Sequence, residues 1–225
     1  ARLADRGARR AARLRARPGT ILSHANAVLA RYGRRLGPGP ASANVATIGG
    51  VVANNAGGRR CTLPRNAYHS VSGITFVLPS GTTINTESAD AEAQFRRTEP
   101  ELADGLLNLR AEILADEELV ERIRHKYTIR NTTGYALNAF LDAETPLEIF
   151  RRLLVGSEGT LAFMAEVVID TLPNPGTTTV TWIATESIDA AAHLVPALVD
   201  LGAEAVELMM APALTEAAKA FPGAP

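Results

Sequence analysis

The sequence predicts a fold that mixes helices with strands, of the α/β or α+β class, and three observations predict it. The longest apolar runs, at 45–53 and 161–169, are strand-length and far from the roughly 20 residues of a membrane span. Elsewhere apolar residues recur at helical spacing. Aromatic residues make up only 5% while Ala, Val, Leu and Ile are plentiful, the composition of close packing by small side chains. At 225 residues the chain can bury a real core in one to two domains. Its 23 Lys and Arg balance 24 Asp and Glu, so nothing calls for nucleic acid or an anionic membrane surface as partner. Cys61 is the single cysteine, which excludes an internal disulfide and leaves no zinc or cluster site, so no metal is assigned.

Residues 1–19 are arginine-rich but lack the serines and initiating methionine of a transit peptide. They are read as a truncated lead-in, helical or disordered and solvated. From 20 to 32 apolar residues fall at Ile21, Ala25, Val28, Leu29 and Tyr32, one face of a helix that Gly33 stops. His24 on this helix has no metal-competent neighbour and reads as a surface or packing residue.

The stretch 37–58, GPGPASANVATIGGVVANNAGG, contains no charged side chain. Glycine lacks a Cβ, so Gly49-Gly50 and Gly57-Gly58 can bring main-chain N–H groups close to a flat or anionic ligand. Ser42, Thr47, Asn54 and Asn55 add directional hydrogen bonds without filling the space. Composition alone leaves both a cofactor cradle and a plain loop open. The pieces 45–48 and 51–53 are too short for helices and are expected to be extended or single-turn elements. Beyond them Arg59, Arg60 and Arg65 sit on an irregular loop, facing either an anion or solvent.

Runs 73–78 and 82–86 flank Pro79-Ser80-Gly81 and predict a hairpin that serves as scaffold. A helix follows with Leu102, Leu106, Leu109 and Ile113 on one face, then a second, capped by Asp116, presenting Leu119, Val120 and Ile123 and closed by His125. Asn131-Thr132-Thr133-Gly134-Tyr135 makes a polar turn with one aromatic. Thr145-Pro146-Leu147-Glu148 is a capping box opening a helix whose apolar face is Ile149, Phe150, Leu153 and Leu154. It ends at Gly156, where Gly156-Ser157-Glu158-Gly159-Thr160-Leu161 leads into a long strand over 161–172. Exposed amides at 157–160 can bind phosphate or ribose, with Glu158 accepting a hydroxyl. No Gly-Lys-Ser/Thr follows, so this is not a Walker loop. Pro173-Asn174-Pro175-Gly176 marks a domain boundary. After it a strand is expected at 180–185, a helix at 188–201 bearing a surface His193, and a strand at 203–209.

Pro40-Ala41-Ser42, then ATIGG and ANNAGG, resemble the central flavin-binding segment of FAD-linked oxidoreductases of the vanillyl-alcohol oxidase type, and 156–161 resembles that family's later FAD loop. The likeness runs from about residue 15 to 207 and is nearest to the D-lactate dehydrogenase, glycolate oxidase and D-2-hydroxyglutarate dehydrogenase branch. The 131–135 turn is similar to that of large bacterial members which also carry an iron–sulfur domain. A loop feature departs from the pattern, because Thr62 stands where relatives have glycine after Cys61, although Asn66 and Tyr68 are kept.

The resemblance implies an α+β fold, with 20–173 the second subdomain of a PCMH-type FAD-binding domain and 177–225 the start of a substrate (cap) domain. It implies FAD contacts at Pro40, Ala41, Ser42, Thr47, Ile48, Gly49, Gly50, Asn54, Asn55, Gly57 and Gly58, and at Gly156, Glu158 and Gly159, with Tyr135 toward the substrate. The implied reaction is hydride transfer from a small 2-hydroxy acid to flavin, electrons passing to a further acceptor. By the same likeness a pyrophosphate-binding subdomain precedes these residues and a histidine-rich metal and base site follows them, so the catalytic base is unassigned. Any iron–sulfur cluster belongs to a domain outside these residues. The expected location is cytoplasmic or peripheral at the inner face of the membrane. The alternatives are an alkyl-transfer synthase on the same fold and a non-catalytic truncated relative.

Overall fold

A computed structural model describes residues 11–58 and 63–220. It divides into two compact units, 1–174 and 175–225. In the first, five antiparallel strands are arranged around one long strand: β1 (Arg13–Ala16), β2 (Arg34–Leu36), β3 (Val71–Val77), β4 (Thr83–Asn85) and β5 (Phe163–Pro173). The order is β1-β5-β3-β4, with β2 pairing the far end of β5. This is the mixed α+β architecture the resemblance implies.

β5 organises the sheet because its sequence, FMAEVVIDTLP, alternates Val167 and Ile169 into the core at full burial or nearly so. Ala16 pairs Val167, and Arg13 pairs Asp170. On the other side Ile74 pairs Val167 and Phe76 pairs Met164, with register shifts between Val71 and Gly73 and between Thr75 and Phe76. The expected hairpin forms: Thr75 faces Asn85, and Leu78 N donates to Thr82 O across the Pro79-Ser80-Gly81 turn.

From Ala11 on, the stretch expected as a helical or disordered lead-in joins the sheet instead. Arg13 and Arg15 pair with Glu87, and Arg15 also with Glu166, so β1 carries its arginines on carboxylates of distant segments while Ala16 turns inward. Three-residue β2 is likewise a product of tertiary pairing, Leu36 facing Thr171.

The helices are α1 (Leu22–Ala30), α2 (Ile48–Ala53), α3 (Ala67–Ser70), α4 (Ala91–Thr98), α5 (Pro100–Ala115), α6 (Glu117–Lys126), α7 (Ala139–Asp142) and α8 (Pro146–Leu154). Phe76 of β3, Phe95 of α4 and Phe150 of α8 form the aromatic centre, their ring centroids 5.1 to 6.4 Å apart. Each such buried ring contributes roughly 1.5–3 kcal/mol. Asp116 caps α6 by accepting from Leu119 N, and Val120 and Ile123 are buried as their spacing predicts. α5 departs from expectation: Ala103 and Leu106 are buried, while Leu109 stays exposed because the helix lies at the margin of the layer.

At α8 half of the capping box forms. Thr145 Oγ1 accepts from Glu148 N, but the Glu148 carboxylate turns to Arg151, at 2.6 and 2.8 Å, and to Arg152 at 2.9 Å. Arg151, almost fully buried, also donates to Val71 O and so ties α8 to β3.

In the second unit α9 (Ile188–Asp200) forms as expected with Ser187 as its cap, and α10 (Ala211–Ala220) follows. The strands expected at 180–185 and 203–209 do not form. A strand exists by pairing, and Val180 and Trp182 are exposed with no ladder among the described residues.

Candidate functional site

The glycine-rich stretch folds into a short helix where extended or single-turn pieces were expected. Thr47 caps it, accepting from Gly50 N at 3.2 Å. Its first turn is stitched to the segment after β1, Ile48 N donating to Thr20 O and Gly49 N to Pro18 O, both at 2.8 Å. Ile48 is wholly buried, and a Cβ on Gly49 would lie 2.6 Å from Pro18 Cβ. These two residues, expected at the cofactor, face the core instead. Gly50 is exposed, and a Cβ there would meet only Thr47 Oγ1, at 3.3 Å.

The helix ends in a Schellman arrangement with an asparagine in the left-handed position. Asn55 has φ +47°, its amide donates to Val52 O, and Ala56 N donates to Val51 O at 2.8 Å. Asn55 Oδ1 accepts from Tyr68 N at 3.0 Å, so this side chain fastens α3 to the loop and is not aimed at a ligand. Gly39 N then donates to Gly57 O at 2.8 Å, and the backbones of Gly39 and Gly58 form a parallel bridge. Arg59, Arg60 and Cys61 lie outside the described residues.

The second loop docks on the end of α2. Gly156 N donates to Val52 O at 3.0 Å and Glu158 N to Ala53 O at 2.9 Å, while Asn54 Nδ2 donates to Glu158 Oε1 at 2.7 Å. Glu158 and Gly159 both have positive φ, and Thr160 N closes the turn on Ser157 O. The amides of 156 and 158 thus join the loops, and those of 157 and 160 bond to Leu154 O and Ser157 O within their own segment. Across 157–160 Gly159 N alone has no protein partner among the described residues, which corrects the expectation of a row of exposed donors. Glu158 accepts an amide of its own chain where a ligand hydroxyl was expected. Tyr135 is half-exposed, and its hydroxyl pairs with Thr160 Oγ1 at 2.8 Å.

Beside this junction lies a cleft of about 350 Å³. Pro40, Ala41, Ser42, Gly50, Asn54, Gly57 and Gly58 line it, and Arg130 is its one charged wall residue among those described. Thr47, Asn55, Tyr135 and the 156–161 loop stand outside the lining. From sequence Arg130, following the helix that His125 closes, reads as an ordinary cation near a helix C-terminus, so its place at the cleft was missed. The signal available was a cation placed directly before the Asn131–Tyr135 turn.

Next to the loops, the Tyr68 hydroxyl donates to Asp142 at 2.7 Å and Arg152 lies 5.4 Å over its ring. Burial, and then the Asp142 carboxylate, push the phenol far above its ordinary range, so it stays a proton donor. Burial lowers the pKa of the adjoining His69, keeping the imidazole neutral beside the Arg152 charge. These groups brace α3 against α7 and α8.

Small neutral walls, Gly50 open to the cleft, hydroxyl and amide donors and one guanidinium fit one flank of a flavin dinucleotide, which combines a flat apolar ring with anionic phosphates. Comparison with known proteins agrees with that fit. Residues 7–87 match the FAD binding domain family, a span that contains the first loop and not the second. Over 196 residues, 86% of the chain, it is 27% identical to D-2-hydroxyglutarate dehydrogenase of Pantoea ananatis, of which it covers 19%. It is 28% identical to the proteins of the same name from Haemophilus influenzae and Escherichia coli, again covering 19% of each. The chain thus spans about a fifth of the length of these relatives. The FAD-domain match over residues 7–87 and these relatives make the chain similar to the FAD-linked oxidoreductases with a PCMH-type FAD-binding domain.

Proposed function

We propose that these residues form part of the flavin-holding frame of an enzyme that oxidises a 2-hydroxy acid, with D-2-hydroxyglutarate first among candidates and D-lactate and glycolate next. One observation carries the reading: two small-residue loops about 100 positions apart meet through Gly156 N–Val52 O, Glu158 N–Ala53 O and Asn54–Glu158 at the edge of one cleft. FAD, when bound, supplies the acceptor for the hydride that leaves C2 of the acid. The chain's own part is to bind and orient. Gly50 leaves room for a flat group, Glu158 fixes the Asn54 amide in one orientation, and Ser42 offers a hydroxyl at the cleft wall.

The proton of the substrate hydroxyl needs a base, which we place in the part of the protein beyond these residues. In the same reading 20–173 is the FAD-binding subdomain and 177–225 opens the substrate domain. An iron–sulfur cluster, as an onward electron acceptor, belongs to a further domain. The location is cytoplasmic, or peripheral at the membrane; among the described residues no helix is long and apolar enough to cross one.

The test is anaerobic reduction of the full-length protein's flavin by a panel of D- and L-2-hydroxy acids. Rapid bleaching near 450 nm by one enantiomer series establishes class and substrate together. A purified protein that holds stoichiometric flavin yet is reduced by none of the panel overturns the substrate assignment. One that holds no flavin overturns the whole reading.

A further inference from the structure

The charge of the cleft is borne by a side chain that the first loop admits only through the lack of a Cβ. The Arg130 guanidinium lies against Gly57: a Cβ on Gly57 would stand 2.9 Å from Cζ and 3.1 Å from Nε and Nη1. No carboxylate among the described residues pairs with it, whereas Arg13, Arg15, Arg96, Arg124, Arg151 and Arg152 each have one. The loop that carries it is closed by Tyr127, whose hydroxyl donates to Tyr135 O and accepts from Leu137 N, both at 3.0 Å. That loop is moored to the second motif by the Tyr135–Thr160 hydroxyl pair. A planar fork of donors, held over a glycine in a cleft with otherwise neutral walls, is suited to a phosphate or carboxylate oxyanion.

We propose that Arg130 is the oxyanion anchor of this cleft, with Gly57 as the residue that gives its guanidinium room. The site rests on the flavoenzyme reading only for where the oxyanion comes from: the cofactor's pyrophosphate or the carboxylate of the hydroxy acid. The two sources separate in one set of full-length variants, Arg130→Ala, Arg130→Lys, Gly57→Ala and the double Gly57→Ala/Arg130→Ala. For each, the FAD dissociation constant, the KM and kcat for the acid, and the binding of inorganic pyrophosphate and oxalate to flavin-free protein are measured.

Removing a charged donor pair weakens oxyanion binding by roughly 10- to 100-fold. Arg130→Lys keeps the charge without the fork and recovers part of that loss. Looser FAD at an unchanged KM identifies the pyrophosphate, and a raised KM with FAD retained identifies the carboxylate. Gly57→Ala weakens the same parameter in the native background and adds nothing in the Arg130→Ala background. The proposal is overturned if Arg130→Ala leaves both constants and both small anions unaffected, or if Gly57→Ala is equally harmful without Arg130. Should the protein hold no flavin at all, the proposed function fails, and pyrophosphate and oxalate binding alone decide the anchor.

Discussion

Gly58→Ala tests whether the wall of the cleft depends on one backbone touching another. Gly58 has φ +130°, and an alanine Cβ there would stand 2.0 Å from Gly39 O, 2.4 Å from Gly39 C and 2.9 Å from Pro40 N. All three are main-chain atoms, so no rotamer change relieves the contact, and the two segments must part by about 1 Å or more. Parting them breaks the 2.8 Å bond from Gly39 N to Gly57 O, worth roughly 0.5–1.5 kcal/mol. Placing a Cβ at positive φ costs about 1–2 kcal/mol more. The sum, about 1.5–3.5 kcal/mol, is a large fraction of the roughly 5–15 kcal/mol that holds a domain together. Gly81→Ala is the control, since Gly81 has φ +86° with nothing within 4 Å and bears only the conformational cost. Urea titration of the full-length variants gives the two losses, and absorbance near 450 nm gives flavin content. Gly58→Ala is expected to lose more stability than Gly81→Ala by about 0.5–1.5 kcal/mol, the lost hydrogen bond, and to lose flavin, while Gly81→Ala keeps it. Equal losses with full flavin in both would refute the reasoning.

Gly50→Asp in the full-length protein is expected to abolish flavin retention with little change in melting temperature, because a Cβ there meets only Thr47 Oγ1 and the carboxylate enters the cleft; undiminished flavin content would remove Gly50 from the cradle. Asn55→Gly keeps the left-handed conformation but loses the bond to Tyr68 N, whereas Asn55→Ala loses both. Denaturation should rank native above Asn55→Gly above Asn55→Ala, each step about 1 kcal/mol, and an alanine variant as stable as the native protein would contradict the assignment. Burial opposes ionisation of Glu148, yet hydrogen bonds and charge from Arg151, then Arg152, hold its carboxyl below the usual glutamate range. A folded-state pKa below the unfolded one stabilises above the unfolded value and is lost as pH falls through the folded one. Stability measured from about pH 6 to 3 should therefore fall less steeply in Glu148→Gln than in the native protein, and parallel curves would count against it.

Short-range chemistry was legible in the residues, and long-range pairing was not. The caps at Asp116 and Thr145 and the turn at Pro79-Ser80-Gly81 act within four positions of themselves, and all three form. Arg13 and Arg15 read as solvated because their carboxylates, Glu87 and Glu166, lie at least 70 positions away. The strands expected after residue 176 had the right composition and no ladder to join. The first loop shows the same division most sharply at the four glycines of its two pairs. Composition says that something must come close to each, and cannot say what does: Pro18 at Gly49, the backbone of Gly39 at Gly58, the Arg130 guanidinium at Gly57, and at Gly50 nothing of the fold beyond Thr47 Oγ1. Two of the four are thus explained by packing of the chain on itself. Gly57 admits a charged side chain, and Gly50, whose missing Cβ opens onto the cleft, is the position where packing among the described residues gives no cause for the absence of a side chain and where the proposed flavin would give one.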